Sequence, residues 1–99
     1  MRHHYLRTEP AASSAHWAVG RGATPAEPVL LQIGDAKGEQ ARTSNTANEA
    51  VAFAHQLRSV LQFADRIPIS LTENGKTVRI VLHREDGLDL ADAIKAITG

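Results

Sequence analysis

The sequence predicts a small α+β domain: a small, mostly antiparallel sheet with a long central helix and a short C-terminal helix on one face. The expected core order is β-α-β-β-α, with one or two extra strands as candidates in the N-terminal segment. Three observations carry this prediction. Asn74-Gly75 separates two runs of alternating apolar residues. A capped apolar stripe of helical period fills residues 47–64. A second, shorter apolar edge of the same period lies at residues 90–97.

The hairpin is the best-determined element. Asn and Gly are the residues that best tolerate the positive φ needed at both centres of a type I′ turn. A two-residue turn there fixes the register, so opposed positions sum to 149 and Ile69 faces Ile80. One face then carries Ile67, Ile69, Leu71, Val78, Ile80 and Leu82. The other carries Arg66, Pro68, Ser70, Thr72, Thr77, Arg79, Val81 and His83. This separation is what a half-buried antiparallel pair requires. Pro68 has no N–H for a ladder, which places the first strand at an edge or makes it start there.

The long helix follows from its cap and its period. Thr46 and Glu49 stand at the spacing of a capping box, in which each side chain bonds the other residue's backbone N–H. Ala47, Ala50, Val51, Ala54, Leu57, Leu61 and Ala64 form one stripe. That stripe needs an apolar partner, and the hairpin offers one. In the last helix Leu90, Ala93, Ile94 and Ile97 share an edge, Asp89 is the expected N-cap and Gly99 the expected end.

Upstream, residues 29–33 read as a buried strand and residues 34–45 as a polar, mobile loop. Residues 4–7 and 16–19 are the candidate extra strands, and residues 11–15 and 21–28 read as turns or disordered links. The expected organisation is an N-terminal segment, 1–28, followed by one α+β domain, 29–99.

Composition narrows the function classes. Aromatics are limited to Tyr5, Trp17, Phe53 and Phe63, so the core must be aliphatic. Five Lys/Arg and five Asp/Glu lie in residues 1–50, and six of each in residues 51–99. A nucleic-acid binder usually carries a basic excess, so this balance argues against DNA, RNA and anionic membranes as main partners. It leaves self-association unopposed by net charge. The chain has no cysteine, which removes disulfides, thiolate metal sites and cysteine nucleophiles. No apolar run approaches the length of about 18 residues needed for a membrane helix. A cytoplasmic setting is the default expectation.

The motifs give no catalytic constellation, no cofactor fingerprint and no paired-histidine metal motif. The one metal geometry on offer is a flexible amino terminus with His3, which suits square-planar copper or nickel; it is weaker than a plain solvated tail. His55 and His83 are the candidate acid/base groups should the chain be an enzyme or a subunit of one. Arg58, Arg66, Arg79, His83 and Arg84 form the candidate nucleic-acid surface, a hairpin face that could enter a groove. Trp17, which reads first as a cap on the small core and otherwise as an aromatic contact anchor, joins Pro68, Ser70 and Thr72, on an open strand edge, as the candidate partner-binding residues. The leading expectation is a non-catalytic protein-binding or assembly module that self-associates as a homodimer, with no cofactor and no metal.

Overall fold

The computed structural model describes residues 4–9 and 15–99. Its order is β1 (His4–Glu9), β2 (Ala15–Thr24), β3 (Glu27–Gly34), β4 (Gln40–Asn45), α1 (Ala47–Leu61), β5 (Arg66–Glu73), β6 (Lys76–His83) and α2 (Arg84–Thr98). The strands make two antiparallel sheets: a four-stranded meander β1-β2-β3-β4 and the separate ribbon β5-β6. The fold is α+β, as the sequence predicts.

The ribbon has the expected register, with Ile69 opposite Ile80 and Arg66 opposite His83. Asn74 and Gly75 adopt φ of 53° and 79°, the positive values the turn demands. Ile67, Ile69, Val78, Ile80 and Leu82 are buried, and Arg66, Pro68, Ser70, Thr72, Thr77 and Arg79 are exposed. The capping box is also present: the Glu49 N–H donates to Thr46 Oγ1 at 3.1 Å, and the Thr46 N–H donates to Glu49 Oε1 at 2.8 Å. Helix α1 stops at Leu61 rather than 64, closing in a turn where Phe63 and Ala64 N–H both donate to Val60 O.

Several expectations are corrected. Residues 40–45 are a strand, not part of a mobile loop; Ala41 pairs opposite Ile33 and is buried. The turn before it is held by Asp35, whose Oδ1 accepts the Lys37 and Glu39 N–H groups. Residues 21–28 are strand and tight turn, and the boundary expected at residue 28 falls inside β3. Trp17, Val19, Val29, Leu31 and Ile33 of β2 and β3 belong to the same core as the ribbon and helices. Of the expected links at residues 11–15, Ala15 is in β2 and the rest lie outside the described residues.

The largest correction concerns α2. It spans 15 residues, as long as α1, and starts at Arg84 with His83 as N-cap, so Asp89 is inside the helix. Asp86-Gly87 reads as a turn but is helical. A Cβ on Gly87 would stand 2.5 Å from Leu61 Cδ1, so the glycine lets α2 approach the end of α1. Asp86, the buried charged side chain among the described residues, sits in the first turn, where the helix dipole favours a carboxylate. Gly99 is the C-cap, as expected.

Helix α2 is the centre of the packing. It touches β2, β3, β5, β6 and α1, and Leu90, Ala91 and Ile94 are buried. Of the expected α1 stripe, Ala50, Ala54, Leu57 and Leu61 are buried, but Ala47 and Val51 are exposed; α1 touches β5 and packs chiefly along α2. No helix among the described residues is long and apolar enough to cross a membrane.

Candidate functional site

The ribbon's two edges differ, and the difference follows from its turn. In a two-residue hairpin the pair beside the turn exchanges both main-chain hydrogen bonds, and bonded and non-bonded pairs then alternate. Glu73–Lys76, Leu71–Val78, Ile69–Ile80 and Ile67–Leu82 are the bonded pairs in this register. The same alternation reaches past the strands: the Arg84 N–H donates to Asp65 O at 2.8 Å. The main-chain groups of Thr77, Arg79, Val81 and His83 therefore point away from β5. Pro68 lies opposite Val81 at a non-bonded position, so its missing N–H removes nothing from the ladder.

The edge of β5 is occupied. β5 lies against β4 without joining its sheet. The Arg42 N–H of β4 donates instead to Glu73 Oε1 at 3.0 Å, and a hollow of about 180 Å³ remains along the seam. β6, by contrast, pairs only with β5 among the described residues.

Beside β6 lies a cleft of about 580 Å³. Arg79, Val81 and His83 of β6 line it, with Arg66 from β5 and Ile80 below. Its other wall is Ala15 and the β3–β4 turn, Asp35 to Lys37. No Phe, Tyr or Trp lines it among the described residues; the His83 ring is its one aromatic group there.

Charge is distributed unevenly around this cleft. Elsewhere four cations are matched: Arg42 meets Glu73 at 3.6 Å, Arg58 meets Asp92 at 2.9 Å, Lys76 meets Glu39 at 3.4 Å and Arg84 meets Asp65 at 3.1 Å. Among the described residues Lys37, Arg66 and Arg79 have no ion pair, and all three line the cleft. Lys95, near the end of α2, is also outside any ion pair. Among the described residues Asp35 is the one carboxylate in the lining, and its Oδ1 already accepts two backbone N–H groups. Arg79 Nε donates to Ser70 Oγ at 3.2 Å, which holds its stem on the ribbon's outer face.

The candidate residues thus separate. Arg66, Arg79 and His83 come together, and the fold adds Lys37, which lies in a segment read as a loop. Arg58 is on α1 and is taken by Asp92 of α2. Arg84 ties the start of α2 to the end of α1, donating to Leu61 O at 3.0 Å and Ala64 O at 3.2 Å. Trp17 is 0% exposed. It is a core residue, out of reach of a partner, which corrects its reading as a contact anchor. Ser70 and Thr72 are exposed on the outer face, each bonded to its cross-strand neighbour, Arg79 and Thr77.

For catalysis the geometry offers little. His55 is exposed on α1 and makes no hydrogen bond. His83 shares the cleft with Asp35, but no hydrogen bond joins them. No group of three or more His, Asp or Glu side chains able to hold a metal occurs among the described residues, and His3 lies outside them. Compared with family models, curated proteins and solved structures, the chain matches none.

Proposed function

We propose that this protein is a non-catalytic protein-binding module that docks a partner along the outer edge of β6. The observation that carries this reading is that edge: Arg79, Val81 and His83 present their main-chain groups away from β5, and the same residues line the cleft. A strand edge with open space beside it is a template for an added strand. Val81 contributes an apolar surface there, 44% exposed.

Two other readings compete for the same residues. Self-association through β6 would set Lys37, Arg66 and Arg79 of one copy near those of the other. Zero net charge does not oppose a homodimer, but this local repulsion opposes one built on this edge. A nucleic-acid surface gains from the clustered cations. It loses from the ion pairing of Arg58 and Arg84, and from having only the His83 ring, with no Phe, Tyr or Trp among the described residues, for bases to stack on.

The test is an unbiased peptide display selection against the full chain, repeated with Val81→Pro. The position is non-bonded in the ribbon, and Pro68 already stands opposite it, so the ladder tolerates the change. Enriched peptides that bind the parent chain and not the variant are the expected result. If no peptide family is enriched, the reading fails. Light scattering on the eluted chain decides the homodimer: a monomer at high micromolar concentration removes it.

A further inference from the structure

We infer that the β6 cleft selects an extended acidic segment of another protein, with carboxylates at alternate positions. This rests on the docking reading above and adds the chemistry of the partner. The argument is charge complementarity. The chain as a whole is neutral, and four of its described cations are matched by carboxylates. Lys37, Arg66 and Arg79 are not, yet they come from three separate stretches of sequence to one cleft.

Strand geometry then sets the spacing. Side chains of an added strand alternate between the ribbon's two faces. Those on the outer face would stand beside Arg79 and His83, with Arg66 across the ribbon and Lys37 on the facing wall. Those on the inner face would stand beside Ile80 and Ala15, where small apolar side chains fit. The recognised pattern is therefore acidic and small apolar residues in alternation. A phosphate backbone could use the same cations, but beyond the His83 ring its bases would find no Phe, Tyr or Trp among the described residues to stack on. Main-chain pairing with β6 favours a peptide.

The experiment uses the isotope-labelled full chain and three probes. One is a synthetic peptide of about eight residues alternating glutamate with valine or threonine, near the length of a typical strand. The second replaces each glutamate by lysine. The third is a short oligothymidylate. The expected result is saturable shifts of the Arg79, Val81 and His83 amides with the acidic peptide, weakening as salt is raised. Lys37→Glu and the pair Arg66→Glu with Arg79→Glu should each weaken that peptide by about tenfold, as loss and reversal of exposed charges does. The Lys37 side chain makes no bond in the fold, so its variant separates charge selection from folding.

Equal binding of the acidic and lysine peptides overturns the inference and leaves the docking reading intact. So does a display selection whose winners need Val81 but carry no acidic residues. Failure of both peptides together with an empty selection overturns both. Tighter binding of the oligothymidylate overturns the inference in favour of a nucleic-acid surface.

Discussion

Two of the hairpins in this fold solve the same problem differently. β5 and β6 turn through Asn74-Gly75 with both φ values positive, and their register runs unbroken from Glu73–Lys76 to Arg66–His83. β2 and β3 turn through Pro25-Ala26, neither of which has a positive φ. Turns of that hand splay the strands they join. The register accordingly shifts between Arg21 and Thr24. The first hairpin is defined by its own turn and left open along one edge. The second is defined by neighbours, since β1 pairs with β2 and β4 with β3. An element whose turn sets its register can do without a flanking strand, and that freedom leaves β6 available for docking.

The largest effects should come from the faces both hairpins bury. Ile80→Asp places a charge where the side chain is 4% exposed, which has no partner to offset its desolvation. The expected outcome is loss of a cooperative melt. Val81→Asp, one residue on and facing outward, should change stability by only about 0.5 kcal/mol. Equal melting temperatures for the two variants would show the faces to be assigned wrongly. Trp17→Ala should cost about 3–5 kcal/mol, as truncation of a fully buried Trp does. Chemical denaturation measures it. A cost below about 1 kcal/mol, the range of surface changes, would return Trp17 to the surface and detach β2 from the core.

These contrasts also explain what was legible. The ribbon's register was, because two residue types at one turn specify it and the alternation on both sides agrees. The start of α1 was, because Thr46 and Glu49 form a local pair. β4 was not: its inward positions are Ala41, Thr43 and Asn45, too small or too polar to alternate visibly. The start of β2 was legible as the candidate strand 16–19, but Gly20 and Gly22 hid its second half. The first turn of α2 was hidden by Gly87, which exists for its contact with Leu61 rather than for a turn. In the site, Arg66, Arg79 and His83 followed from the register. Lys37 could not, since only the tertiary fold brings the β3–β4 turn beside β6. The pairing of Arg58 with Asp92 was equally out of reach, but that of Arg84 with Asp65 was not. Those two residues also sum to 149, one pair beyond the strand ends, and extending the register would have found them.

Smaller substitutions sharpen the comparison at the turns. Gly75→Val forces a β-branched residue to φ 79° and should cost about 1–3 kcal/mol, read as a lowered denaturation midpoint. Thr46→Ala removes the cap that starts α1 directly after β4. It should cost about 1 kcal/mol, with no change in the ribbon's amide signals.

The least disruptive test is the most pointed. Pro25→Asn with Ala26→Gly gives β2 and β3 the turn that β5 and β6 have. If a turn alone sets register, the shift between Arg21 and Thr24 should vanish and the pairing of β2 with β3 should slip. Slipping by one residue would send Trp17 and Val19 outward, losing the burial of both side chains. β4 and β1 hold the strands on either side, and Gly22 lies so close to Glu27 O that the shifted backbone already fits without a Cβ. The register should therefore survive, with a stability change of about 0.5 kcal/mol. Cross-strand contacts between Val19 and Leu31 in the variant's NMR spectrum would show it. Their loss would mean that β2 and β3, like β5 and β6, take their register from the turn.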